Sequence, residues 1–116
     1  MNMKFILILS LLSFTLFTYG EDGLDWPFDQ AKNVATITTK QVVKESFPIL
    51  MVVHYEEDDS WAFTCGTTNK SEDLMVVGMG EAVNLDPTLY SIADLPPGWS
   101  ATRESVNSEW VRAKDE

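Results

Sequence analysis

The stretch from Asp86 to Arg112 constrains this chain more than any other, and Leu95-Pro96-Pro97-Gly98-Trp99 lies at its centre. It holds three of the five prolines, two of the four tryptophans and both arginines. Proline fixes φ and removes a backbone donor, so Leu95-Pro96-Pro97-Gly98 ends any helix that reaches it. Pro97-Gly98 suits the middle of a type II turn, where glycine supplies the positive φ. Upstream, Asp86-Pro87 reads as a helix start: Asp86 caps, Pro87 takes the first helical position, and Leu85 is placed to staple onto Tyr90. Leu89, Ile92 and Ala93 then share a face. Downstream, Trp99 to Arg103 alternates, with Trp99, Ala101 and Arg103 on one side and Ser100 and Thr102 on the other. A turn over 105–108 leads to a last short strand, Trp110-Val111-Arg112.

The amino terminus reads differently. Met1-Asn2-Met3-Lys4 is a short basic start, Phe5 to Phe17 is apolar apart from Ser and Thr, and Gly20 stands before Glu21-Asp22. That is the layout of a secretory signal peptide over residues 1–20. The apolar run is too short for the roughly twenty residues that span a bilayer. The expected location is therefore outside the cytoplasm, periplasmic or secreted, with no membrane attachment after cleavage. Residues 21–116 form one domain by size. Without Lys4 they carry 7 Lys+Arg against 18 Asp+Glu, a net charge of −11. Such a balance repels nucleic acid and anionic membrane and favours a basic protein partner. A single cysteine, Cys65, excludes an intramolecular disulfide framework.

In chain order, residues 21–32 form an extended lead-in that can pin Trp26 or Phe28 onto the body. Asn33 to Ile37 reads as a short strand. Thr38-x-x-Gln41 has the form of a capping box, with Ile37 and Val42 set for a staple, opening a helix over Thr39 to Ser46. Pro48 forces its predecessor out of helical geometry. Ile49 to Tyr55 is an unbroken apolar run, the pattern of a strand covered on both faces. Glu56-Glu57-Asp58-Asp59 is then a solvated turn, and Trp61 to Cys65 alternates, so the two runs read as a β-hairpin. Gly66 to Asp73 is a polar loop containing a glycosylation-type sequon at Asn69. Leu74 to Met79 is a further strand, with a helical turn over Gly80 to Asn84 left open. The tail 113–116 is expected to fray.

Little of this composes a catalytic centre. His54 and Cys65 are the only residues of their kinds, and the hairpin register sets them roughly 10–13 Å apart at about 3.4 Å per residue. A nucleophile and its base need about 3 Å. Glu56 to Asp59 lacks the alternate spacing and glycine of a calcium loop, and zinc has one histidine and one cysteine to draw on. No catalytic residue, metal or cofactor is implied. The candidate binding residues are Trp99, Arg103 and Trp110, joined by Trp61 and by the acidic run Glu56, Glu57, Asp58 and Asp59. Arg103 faces inward and needs either a carboxylate of its own fold or one from a ligand.

Taken together, Trp61-Ala-Phe-Thr-Cys-Gly after an acidic turn, Asp86-Pro-x-Leu, Asp94-Leu-Pro-x-Gly-Trp-x-Ala-x-Arg103 and Trp110-Val-Arg resemble an uncharacterised bacterial domain family. That family is grouped with the immunity proteins that neutralise polymorphic toxins. The resemblance spans residues 33–112 and implies a small α+β domain with no established catalytic residues. Its typical members are cytoplasmic, so the signal peptide is a departure. The expectation is an α+β domain with a mostly antiparallel sheet of four to six strands and two short helices. Its expected role is protein binding, as a periplasmic immunity-type inhibitor of a basic toxin or enzyme. The alternative is a small-molecule-binding or enzymatic domain built on the Trp99, Arg103 and Trp110 region.

Overall fold

Short runs rich in Val, Ile, Thr and Trp, each bounded by turn residues, become six strands of a single sheet in the computed structural model. The structure describes residues 25–68 and 70–116. The signal peptide, the first four residues of the lead-in and Asn69 of the sequon lie outside the described residues. The strands are β1 (Ala35–Thr39), β2 (Met51–His54), β3 (Trp61–Thr64), β4 (Leu74–Gly78), β5 (Trp99–Thr102) and β6 (Val111–Lys114). Their order across the sheet is β4-β1-β3-β2-β5-β6. Only β1 and β3 pair in parallel; every other neighbouring pair is antiparallel. Two short α-helices, α1 (Lys40–Glu45) and α2 (Met79–Leu85), and 3-10 segments at Ser71–Asp73 and Pro87–Ile92 complete an α+β domain.

Both long connections cross the same face of the sheet. The link through α1 carries the chain from β1 past β3 to β2, and the link through α2 and Pro87–Ile92 carries it from edge strand β4 to β5. One core results. Val42 of α1, Met79, Ala82 and Val83 of α2, and Leu89 and Ile92 pack on Val77, Phe63, Trp61, Val52 and Ala101 of the sheet. The lead-in closes this core: Phe28 is buried edge-on to Trp61 at 5.1 Å, and Trp26 packs beside it. Burial of these large side chains supplies the main drive to fold, at roughly 25 cal/mol per Å² of apolar surface.

The opposite face has no such layer. The strand registers give it Leu74, Val76 and Gly78 of β4, Ala35, Ile37 and Thr39 of β1, and two residues from each other strand: Ala62 and Thr64, Met51 and Val53, Ser100 and Thr102, Val111 and Ala113. None of these strand residues is charged, and only Thr39 and Ala62 are fully buried; Asp115, just past β6, accepts from Ser100 Oγ at 2.7 Å on this side. The expectation that Ile49 to Tyr55 would be covered on both faces is thus corrected. Val52 and His54 are buried while Met51 and Val53 stay half-exposed, because both crossovers land on one side.

Several local expectations shift by a residue or two. β1 begins at Ala35 and runs to Thr39, since pairing with β4 continues to Thr39 opposite Leu74. Thr38 therefore sits inside a strand, and the capping box does not form. Helix α1 starts from Thr39 with no side-chain cap, and the buried oxygens Thr38 Oγ1 and Gln41 Oε1 have no hydrogen-bond partner among the described residues. The tail is not frayed at its start: β6 extends to Lys114, and Asp115 N–H donates to Gly98 O at 2.7 Å. Other signals hold. Asp86 caps Pro87–Ile92 by accepting from Thr88 N–H, although the segment is 3-10 rather than α. Trp99 N–H closes onto Pro96 O with Gly98 at φ +86°, the expected type II geometry.

Candidate functional site

Strands β2 and β5 run side by side, and each end of that pair carries a polar cluster. At one end is Arg103. Its backbone N–H donates to Leu50 O at 3.0 Å, continuing the β5 ladder, and its side chain turns to the core face as alternation from Trp99 requires. A guanidinium carries five donors in a fixed fork, and here all five are used. Nε and Nη2 donate to Ile49 O at 3.1 and 2.9 Å. Nη2 also donates to Asp86 Oδ2 at 2.7 Å, while Nη1 donates to Thr88 Oγ1 at 3.0 Å and Val106 O at 3.3 Å. The Trp110 ring covers the group at 4.2 Å. Side-chain exposure is 1% for Arg103 and 14% for Asp86. The acidic partner that an inward arginine demands is the cap residue of the Pro87–Ile92 segment, so one carboxylate serves both. No donor is left for a ligand.

The three residues grouped by sequence are thereby divided. Trp110 joins Arg103, but Trp99 lies four residues along β5, roughly 13 Å away at about 3.3 Å per residue, opposite His54. Beside the Arg103 cage, Val42, Phe47, Leu85 and Val106 contribute to an apolar recess of about 450 Å³. The carboxylate bordering it is Asp86, already committed to Arg103 and Thr88.

At the other end the hairpin closes with Tyr55 N–H donating to Ser60 O at 2.8 Å, and His54 stands opposite Trp61. The imidazole stacks on the Trp61 indole, with ring centres 3.9 Å apart and planes at 15°. Its Nδ1 lies 2.7 Å from Leu95 O and its Nε2 2.7 Å from Asp59 Oδ1. A carbonyl and a carboxylate are both acceptors. Both bonds therefore form only when the pair holds one proton more than a neutral ring and an ionised acid. Gln30 ties the lead-in to this knot. Its Nε2 donates to Asp59 O at 2.8 Å and to Asp59 Oδ2 at 3.1 Å, and its Oε1 accepts the Trp61 indole N–H at 2.9 Å. Asp59 holds its turn at φ +64°, a left-handed position that Asp tolerates better than most residues.

Around this knot the chain gathers acid. Asp29 of the lead-in, Asp59 of the hairpin and Asp94 before the proline turn border one cleft of about 460 Å³, with Trp61, His54, Pro96 and Pro97 forming its walls. Glu56 lies against Gly98, so that a Cβ built there would meet its Oε1 at 3.2 Å. Asp115 is drawn to the same turn through Gly98 O. With Glu57 and Asp58 of the exposed turn, seven carboxylates stand at this end of the sheet. Arg112 bridges Asp94 at 2.9 Å, an exposed contact, and Lys114 stands opposite Trp99 at the same end. The Ser60 hydroxyl and N–H hold the Asp58 carboxyl below its usual value. The acidic run was legible in sequence; Asp29, Asp94, Asp115 and the Gln30 tie were not, since only folding joins four separate segments.

Cys65 is buried near the opposite end of β3 from His54, with Sγ 3.1 Å from Thr67 Oγ1 and 3.6 Å from Thr39 Oγ1. Burial, the largest influence, pushes the thiol up, but the hydrogen bonds from Thr67 and Thr39 together hold it below its ordinary value. The hairpin register leaves no base beside it. Among the described residues, no three His, Cys, Asp or Glu side chains are arranged to hold a metal ion, and no helix is long and apolar enough to cross a membrane. Comparison of the chain with known protein families, with curated proteins and with solved structures finds no match.

Proposed function

We propose that this chain is an exported protein-binding domain whose acidic end receives a basic partner, in the manner of a periplasmic immunity-type inhibitor. The observation that carries the reading is the convergence of seven carboxylates from four chain segments at one end of the sheet, three of them bordering one cleft. The indole and proline surfaces in that cleft suit the aliphatic stem of a lysine or the plane of an arginine, and the carboxylates suit its charge. Complementary charge speeds encounter and fixes orientation more than it adds affinity. Binding through this end is therefore salt-sensitive. The exported location rests on the layout of residues 1–20 and the inhibitor role on the resemblance over 33–112.

The test is affinity capture from a periplasmic extract, using the protein and its Asp29→Asn/Glu56→Gln/Glu57→Gln variant, at low and moderate salt. These three side chains are exposed and none is in the His54 knot. Retention of a basic protein by the parent and not by the variant is the expected result. Equal retention by both, or no basic partner at either salt concentration, would sink the proposal.

A further inference from the structure

We infer that His54 and Asp59 form a proton-operated clasp. The protonated ring holds Asp59 and, through Gln30, the lead-in; the neutral ring frees the Asp59 carboxylate into the acidic cleft. His54 Nδ1 lies 2.7 Å from Leu95 O and Nε2 2.7 Å from Asp59 Oδ1, and an ionised carboxylate and a carbonyl only accept. An imidazolium donates to both. A neutral ring has one N–H, so its bare nitrogen faces an acceptor lone pair to lone pair. The extra proton belongs on the ring, because imidazole is ordinarily a stronger base than a carboxylate.

Burial decides which contact gives. Leu95 is 1% exposed, whereas the Asp59 side chain is 57% exposed. A buried acceptor left unpaired costs more than one that water can reach. The neutral ring therefore keeps its proton on Nδ1. The Nε2–H bond breaks, its electrons stay on the nitrogen and the proton leaves to water. The stack on Trp61 and the bond to Leu95 O hold the ring in place, so the carboxylate is what moves.

Asp59 also accepts from Gln30 Nε2 through Oδ2 and its backbone oxygen, so releasing the carboxylate loosens the tie to the lead-in. The other charged groups facing His54 are Asp29 of the lead-in, Asp94 with its partner Arg112, Glu56 beside Gly98, and Lys114 on the same face two strands away. Asp58 and Asp115 turn instead to Ser60 and Ser100. With the clasp closed, the imidazolium offsets one of the three carboxylates bordering the cleft; with it open, that offset is gone. A basic side chain that pairs with Asp59 thus expels the proton, and by linkage it binds more tightly as the pH rises. The gain is about two- to fivefold, the scale of one exposed ion pair. This consequence rests on the proposed basic partner; the clasp itself does not.

The experiment is a nitrogen NMR titration of the purified, isotope-labelled protein, expressed with its own leader and with no partner added, from about pH 5 to about pH 9. The chain has a single histidine, so the ring signals need no assignment. Both ring nitrogens should carry protons in acid and only Nδ1 in base, the reverse of free histidine, which prefers its proton on Nε2. The Gln30 side-chain amide should shift with the same midpoint as the ring. Asp59→Gly removes the carboxylate at a position of φ +64°, which glycine adopts freely; the ring should still titrate while the Gln30 amide no longer follows it. If that variant fails to fold, the tautomer and the Gln30 shift of the parent decide alone. A ring that bares Nδ1, a titration that leaves Gln30 unmoved or does not occur in this range, or a Gln30 response that survives in folded Asp59→Gly overturns the inference. None of these results bears on the acidic-end reading, which fails only when capture yields no basic partner or the carboxylate variant retains it equally.

Discussion

Arg103 and His54 occupy opposite ends of the β2–β5 ladder and use the same parts. Each is buried, each meets one carboxylate at 2.7 Å, each contacts a backbone carbonyl and each lies against a tryptophan ring. What separates them is the acid. Asp86 is 14% exposed and Asp59 57% exposed. A sealed carboxylate leaves the arginine with no alternative to its cage, so the cluster can only be architecture. An open carboxylate keeps one side toward water and toward whatever approaches the acidic cleft. The same chemistry locks one end of the sheet and presents the other.

The largest effect belongs to the sealed end. Arg103→Ala strands Asp86 without its counter-charge, and such a loss costs about 3–5 kcal/mol. A small domain has about 5–15 kcal/mol in total, so urea unfolding should show a severe drop in midpoint. Arg103→Lys should recover only part of it, because an ammonium supplies three donors in place of the fork. A loss below about 1 kcal/mol, the scale of an exposed pair, would erase the distinction between the two ends. Asp59→Asn should be milder, at about 1 kcal/mol, the scale of one net hydrogen bond, since water reaches that side chain. A drop as large as that of Arg103→Ala would show that the His54 knot is equally structural.

Thr38→Val calibrates what satisfied polarity is worth in this core. The Thr38 hydroxyl is buried and has no partner among the described residues, and removing it should raise stability by about 1 kcal/mol. Destabilisation would mean that an acceptor is present after all. The smallest effect concerns Asp73, whose carboxyl is held below the ordinary 3.8 chiefly by the Thr68 hydroxyl at 2.6 Å. A depressed folded value stabilises above the unfolded value and is lost as the pH falls through the folded one. Acid titration of Thr68→Val should thus show a smaller decline in stability below about pH 4 than the parent. An unchanged acid limb would remove the hydroxyl from that role.

Much of the architecture was legible because it depends on neighbours in sequence. Asp86-Pro87, Pro97-Gly98 and the alternation from Trp99 to Arg103 each specify a conformation within a few residues, and each appears. The hairpin register followed from the polar turn, and with it the separation of His54 from Cys65. Thr38-x-x-Gln41 misled because a capping signal is local, whereas the strand pairing that carries β1 on to Thr39 is not. The apolar run at 49–55 promised two covered faces, yet which faces are covered depends on where both crossovers pass. The site was legible only in part for the same reason. The need of Arg103 for an acid could be read from its inward position, but nothing marked Asp86 rather than the other carboxylates. Gln30, Asp29, Asp94 and Asp115 carry no local signal and reach the acidic end only through the fold.

The account stands most directly on whether the acidic end binds a basic protein while the Arg103 end does not. Binding of the captured partner should be measured by calorimetry against two folded variants: Asp29→Asn/Glu56→Gln/Glu57→Gln at the acidic end, and Trp110→Phe, which keeps a ring over Arg103. The acidic-end variant should lose affinity by tenfold or more, on the scale of about 1.4 kcal/mol per decade, with its melting temperature held, while Trp110→Phe binds as the parent does. The opposite pattern, with affinity falling on Trp110→Phe and holding in the acidic-end variant, would contradict it.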